Sequence, residues 1–294
     1  MADTSWKYSG RIFSAAELDH IRRLIAGSPG ISRAALSRRV CQDLDWRRPD
    51  GRLKDMRCRV VLLQMQAEGL LALPPARNRW TPPRRAPVID PDTEPCPVIE
   101  DPIGMLLPLS IGIISRKDPK ASHRHNTFIH RYHYLGYQPT PGANIRYTVT
   151  DRLGRELAFL SWGAAAWRTA PRDRWIGWND RQREAGLHLI VNNTRFLILP
   201  WVRCRNLASH ILGAIAGRLP ADWYRLYGYR PVLAETFVDA IRYTGHCYLA
   251  ANWIKLGQTT GRTKWNKSQT VVANKKDLWV YPLTRNPKRA LLLD

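Results

Sequence analysis

The sequence predicts a mixed α/β (α+β) protein in two folded parts, and three observations carry that reading. The 294 residues are enough for a sizeable core and for two domains. Charge divides the chain in three. Residues 1–86 hold 17 basic and 8 acidic residues, residues 87–102 ("PVIDPDTEPCPVIEDP") hold five acids and no base, and residues 103–294 hold 29 and 11. Finally, the first part has apolar residues at helical spacing, whereas the last alternates strand-like and helix-like stretches. The expected boundaries are therefore 1–86, an extended acidic Pro-rich linker over 87–102, and 103–294.

In the first part, Ser14 and Glu17 have the spacing of a capping box, followed by Leu18, Ile21, Leu24 and Ile25 on one stripe. A second helix is expected from about Ser32, with Leu36, Val40 and Leu44. Pro49-Asp50-Gly51 makes a turn. A third helix runs from Leu53 to about Glu68 with Met56, Val60, Leu63 and Met65 as its apolar positions. "LLALP" then fits a short strand. Three helices followed by a strand is the order of a winged helix. Its third helix would read DNA, with Arg52, Lys54, Arg57 and Arg59 near its start. A small helical bundle with a solvated basic face fits the same pattern.

In the last part, "NIRYTVTD" and "ELAFLSWGAAAW" read as a hairpin around the turn "RLGR". A mixed stretch, "PRDRWIGWNDRQREAG", precedes the apolar run Phe196 to Val202. The turn Arg203-Cys204-Arg205-Asn206-Leu207-Ala208 leads into a helix ending near Gly217. A second short helix is expected from Pro220 to Gly228, then a strand in "RPVLAETFVD", a helix over "YTGHCYLAANWIKLG" and a last strand in "DLWVYPL".

The formal net charge is +22. An excess of this size opposes compaction and implies a polyanionic partner, most simply nucleic acid. DNA, double-stranded or locally single-stranded, is the expected partner. No apolar run reaches the ~18 residues of a spanning helix, and "MADTSWKYSG" is no signal peptide, so a membrane partner is not expected. Cys41, Cys58, Cys96, Cys204 and Cys247 form no C-x-x-C pair, which excludes a zinc ribbon or disulfide framework and fits a reducing cytoplasm. The expected location is cytoplasmic, on the nucleoid.

Order and motif in the last part resemble the GNAT acyltransferase fold. That family holds the pyrophosphate of an acyl-CoA in an R/Q-x-x-G-x-G/A loop. Arg203 matches its first position, Ala208 its last, and Asn206 stands where the first glycine is usual. Asn tolerates a left-handed backbone and can cap a helix. A second resemblance covers most of the chain. "YHYLGY", "RDRWIGW", "NNTRFLILPWV", "NLASHILG", "DWYRLYGYRPVLAETFVD" and "YTGHCYLAANWIKLGQTTGR" are similar to segments of the DruA family. That family belongs to the Druantia anti-phage systems and also occurs in transposon-like genes. The resemblance implies a prokaryotic protein acting on DNA, beside other defence-system or mobile-element proteins.

Three chemistries are then open. A GNAT-like transferase modifying DNA would bind an acyl-CoA-like donor at Arg203, Arg205, Asn206, Leu207 and Ala208. Its candidate general acid is Tyr248 and its candidate base is Glu235; Cys247, beside His246, is a candidate nucleophile, with a buried core cysteine as the plain alternative. A nuclease or transposase-like enzyme would use Asp173, Glu235 and Asp239 around divalent metal, although four residues of strand separate the last two carboxylates by roughly 13 Å. A non-catalytic module would use the same arginines to grip phosphates. "HRHNTFIHRYHYLGY" contains four histidines with no cysteine nearby and reads as a basic, aromatic surface, not a metal site. His130, His133, Tyr134, Trp178, Arg262 and Lys264 are the candidate nucleic-acid contacts of this part, and two or three tryptophan rings are expected to face DNA.

Overall fold

The computed structural model describes residues 5–49, 51–76, 87–115, 117–261 and 274–292. The chain divides into two compact units, Met1–Arg84 and Arg85–Asp294. Arg262, Lys264 and Trp265 lie outside the described residues.

The first unit opens with a hairpin that sequence periodicity did not reveal: β1 (Ser5–Tyr8) pairs antiparallel with β2 (Arg11–Ser14). Its two-residue turn takes both positions left-handed, Ser9 at φ 53° and Gly10 at φ 80°, the geometry that matches the twist of the flanking strands. Ser14 then caps α1 (Ala15–Ala26), and the expected capping box is formed in both directions with Glu17. Ser32 caps α2 (Arg33–Asp43), and α3 spans Asp55–Ala67. Leu18, Ile21, Leu36, Val40 and Met65 meet in one core with Phe13.

Two expectations for this unit are corrected. Residues 70–74 form no strand. They are held as irregular chain by Arg22 donating to the Leu70 carbonyl and Arg33 to that of Pro74. On α3, Met56, Val60 and Leu63 are exposed, while Cys58, Val61, Leu62 and Met65 are buried. The segment "MRCRVVLLQM" carries two apolar stripes, and packing against α2 selects the second.

In the second unit the acidic stretch does not run free. Ile99 is buried and pairs with Val202, Thr93 is buried in a 3-10 turn (Pro91–Thr93), and Arg131 pairs with Glu94. There follow α4 (Ile103–Leu106), β3 (Ser110–Ile113), α5 (Pro119–Tyr132), β4 (Ile145–Thr150) and β5 (Glu156–Ala164). After them come α6 (Ala170–Ile176), α7 (Asp180–Gly186), β6 (Ile190–Ile198), α8 (Leu207–Tyr227), β7 (Leu233–Asp239), α9 (His246–Ala250), β8 (Ile254–Gln258), β9 (Lys276–Pro282) and α10 (Pro287–Leu291). The sheet order is β3-β4-β5-β6-β7-β9-β8. Every neighbouring pair is antiparallel except β6 and β7. This is a mixed sheet with helices, the class that the alternation of strands and helices in the sequence implied.

α8 is one helix of 21 residues, not two. Pro220 removes a single backbone donor, and the buried stripe Ile211, Ile215, Leu219, Trp223 passes straight through it. The expected long helix after Gly245 is only α9, five residues, because Asn252 turns the chain left-handed (φ 62°) and Ile254 onward joins the sheet.

Candidate functional site

The parallel pair decides where a ligand can go. β6 and β7 are bonded from Ile190↔Leu233 to Asn193↔Thr236 and no further, although both strands continue, to Ile198 and Asp239. The strands part, and the gap opens a cleft of about 420 Å³. One wall is Thr194–Ile198 with Pro200, the other Thr236–Val238. α9 closes one end, and Ala208 at the start of α8 lines the cleft as well.

The vertex is built by Asn193. A β-bulge opposite Ser161 and Trp162 shifts the β5–β6 register there, and Asn193 fills it by donating Nδ2 to the Ser161 carbonyl. Its Oδ1 accepts a hydrogen bond from Tyr248 Oη at 3.1 Å. Gly245, at φ 74°, starts α9 against the Trp279 ring and brings His246, Cys247 and Tyr248 to the cleft. Burial pushes the Tyr248 phenol far above its ordinary value and raises the Cys247 thiol. Both therefore keep their protons at neutral pH, and Cys247 is not an activated thiolate.

The turn before α8 is open to solvent. Asn206 is left-handed at φ 63°, as a glycine would be there, but its side chain makes no cap hydrogen bond. The amides of Leu207, Ala208 and Ser209 start the helix without intrahelical acceptors. Arg203 and Arg205 are exposed. Arg203 makes one loose pair with Glu100, 3.3 Å between two exposed side chains.

The acids of the metal reading do not form one site: Glu235 and Asp173 share Arg172, which occupies the place between them, and Asp239 lies apart. Glu235 is fully buried. Its Oε2 accepts from Arg172 Nη1 at 2.9 Å, and its Oε1 from the Ala166 amide at 2.8 Å. Burial raises its carboxyl against the pull of Arg172. It does not line the cleft, whereas its neighbour Thr236 does, so the candidate base has no route to a cleft ligand. Asp173 accepts from Arg172, Trp178 and the Thr169 amide. Asp239 sits at the far end of β7, held low by Asn274 and by the Ile241 and Arg242 amides. Among the described residues no three His, Cys, Asp or Glu side chains gather as a metal site.

Trp178 is corrected too. It is buried, with Arg172 over its ring, and cannot face DNA. Trp162, Trp223 and Trp253 are buried as well, while Trp167 is exposed. His130 is exposed at the end of α5, and His133 and Tyr134 line the cleft with their rings stacked 4.9 Å apart. In the first unit, Arg52 and Arg57 are exposed and Arg59 pairs with Asp55. Burial and neighbouring arginines lower Lys54.

Sequence reasoning missed Arg195, Tyr243 and Lys276. The signal for Arg195 was present: it is the one charge inside the apolar run of "NNTRFLILPWV".

Comparison with known proteins bears on the whole second unit. The family model for Druantia protein DruA matches residues 90–282. The chain belongs to the DruA family. The six family-like segments all lie within the matched residues. No curated protein matches the chain. Among solved structures, the spermidine/spermine N-acetyltransferase SpeG from Vibrio cholerae with manganese ions is similar at 11% identity, covering 62% of this chain and 96% of its own, with a TM-score of 0.37. The complex of spermidine N-acetyltransferase from Vibrio cholerae with CoA and spermine gives 11%, 60%, 95% and 0.38. These are loose likenesses of GNAT-fold chains. Among the described residues no helix is long and apolar enough to cross a membrane.

Proposed function

We propose that this DruA protein is a GNAT-type transferase that moves an acyl group from a CoA-like thioester to an amine of nucleic acid. One observation carries the reading: β6 and β7 part at Asn193 and Thr236, with the open start of α8 at the edge of the gap. The residues there fit a diphosphate. Asn206 supplies the left-handed turn, the first amides of the helix have no intrahelical acceptor, and exposed Arg203 and Arg205 add charge. When bound, such a donor supplies a thioester carbonyl whose C–S bond breaks as a C–N bond forms. Tyr248 is the group that keeps a proton at the vertex, and Asn193 fixes its hydroxyl. The formal charge of +22 favours a polyanionic acceptor. Exposed Arg52 and Arg57 on the first unit, read as a winged-helix-like DNA-binding piece, would add phosphate contacts.

Calorimetric titration of the full chain with acetyl-CoA tests the donor site. Binding is expected, and Ala208→Glu should weaken it at least tenfold. A carboxylate in the first turn of a helix favours the helix by ~0.3–1 kcal/mol, so the loss would come from repulsion of the diphosphate and not from unfolding. No heat and no melting shift with several acyl-CoA donors would reject the reading.

A further inference from the structure

The half of the cleft facing away from α8 holds positive charge that the protein does not neutralise. Arg195, on β6, is half-buried and lines the cleft. Its guanidinium donates only to the carbonyls of Gly136 (2.9 Å) and Thr194 (2.7 Å). Among the described residues no carboxylate pairs with it, and none lines the cleft. Lys276, half-buried at the start of β9, stands outside the cleft lining, and burial lowers it, with Asp239 opposing and the Arg195 charge adding to that lowering. Asp239, across the strand pair from Lys276, offsets part of its charge, but its carboxylate is already taken by Asn274 and by backbone amides, with Arg242 3.7 Å away. A half-buried cation with no counter-ion is costly to hold in place unless an anion completes it.

Beside this charge stand flat rings. Tyr134 and Tyr243 lie 5.4 Å apart at 56°, His133 stacks on Tyr134, and Arg242 covers the same ring at 5.4 Å. Tyr243 is half-exposed. His133 accepts the Leu135 amide at Nδ1, which leaves its neutral ring with a donor at Nε2 pointing elsewhere. Charge next to exposed rings, inside a cleft and not across a flat surface, suits a nucleotide taken out of its stack.

We infer that this half of the cleft seats one unstacked nucleotide of a single strand, its phosphate on Arg195 and Lys276 and its base against the exposed Tyr243 ring, which Tyr134 backs. The inference rests on the transfer reading for the nucleotide's role as acceptor; the binding itself needs no donor. A duplex would have to open locally to enter.

The test is fluorescence anisotropy of the full chain with a labelled single-stranded DNA of roughly 10 nucleotides, titrated without donor at several salt concentrations. The combined change Arg195→Gln and Lys276→Gln should weaken binding about tenfold and flatten the slope of log K against log salt by about 0.7, the value for one single-strand phosphate contact. The combined change Tyr134→Ala and Tyr243→Ala should also weaken the strand about tenfold while leaving inorganic phosphate binding as it was. Should loss of the Gly136 and Thr194 contacts unfold the arginine variant, Lys276→Gln alone, with a smaller loss of affinity and of slope, and the tyrosine pair carry the test. Equal binding of the strand to all variants, binding no tighter than inorganic phosphate, or displacement of the strand by CoA would each overturn the inference. If acetyl-CoA fails to bind while these losses appear, the transfer reading falls and the nucleotide seat stands.

Discussion

Glu235 shows how much a single side chain's surroundings decide. Its carboxylate and the Arg172 guanidinium are both fully buried, and each is the other's partner. Arg172 also donates to the Ala166 carbonyl and to Asp173, so the pair ties β7 to the segment after β5 and to α6. Removing one member of a buried pair leaves the other charge without compensation. Glu235→Ala should cost about 3–5 kcal/mol in denaturant unfolding, and replacing both, Arg172→Met with Glu235→Leu, should restore most of that. A cost under ~1 kcal/mol for the single change would show that the pair is not structural. His125 makes a second residue-scale prediction. Burial holds it at about 4, between Ser161 Oγ and the Leu160 carbonyl. The unfolded chain, with an ordinary value near 6.5, binds the proton first. Stability from this group is thus present above pH ~6.5 and lost as pH falls toward 4, by up to about 3 kcal/mol. His133, at about 4 for the same cause with Arg195 and Lys276 added, works in the same direction. Urea unfolding of His125→Gln between pH 7 and 4.5 should show a shallower fall than the parent, and an equal fall would contradict the assignment.

At the scale of elements, the cleft is made by where pairing stops. α9 completes it only because Gly245 lets the chain turn sharply beside Trp279. A Cβ there would lie 2.8 Å from the indole on a backbone with φ 74°. Gly245→Ala should therefore cost roughly 1–3 kcal/mol, and by moving Tyr248 it should weaken acetyl-CoA binding as well; calorimetry and thermal melting check the two effects separately. Much at this scale was legible in the sequence. The capping box at Ser14, the hairpin of β4 and β5, and the strand–turn–helix at Arg203 follow from local chemistry, because caps, turns and alternation are written in neighbouring residues. What could not be read was set by distant contacts. The β1–β2 hairpin is four residues a side, too short for a periodic signal. The buried face of α3 was chosen by α2, and the continuity of α8 through Pro220 by the packing of Leu219 and Trp223.

For the molecule as a whole, the family match places the chain among Druantia DruA proteins, and its net charge of +22 is the feature from which an anionic partner is proposed. The candidate site was only half legible for the same physical reason. The turn proposed for the donor is contiguous in sequence, from Arg203 to Ala208, so a local motif could single it out. The other half draws on the segment after α5, on β6 and on the loop before α9, with β9 nearby, so its residues are far apart in sequence. Glu235 and Trp178 were misplaced because a strand's period gives which face a residue shares but not what covers that face. The most direct measurement is amide hydrogen exchange of the full chain with and without acetyl-CoA. A ligand between β6 and β7 predicts slowed exchange at Leu207, Ala208 and Ser209 and along Phe196–Ile198 and Thr236–Val238. Exchange unchanged at those amides under saturating acetyl-CoA would contradict the claim that the parted strands form a donor cleft.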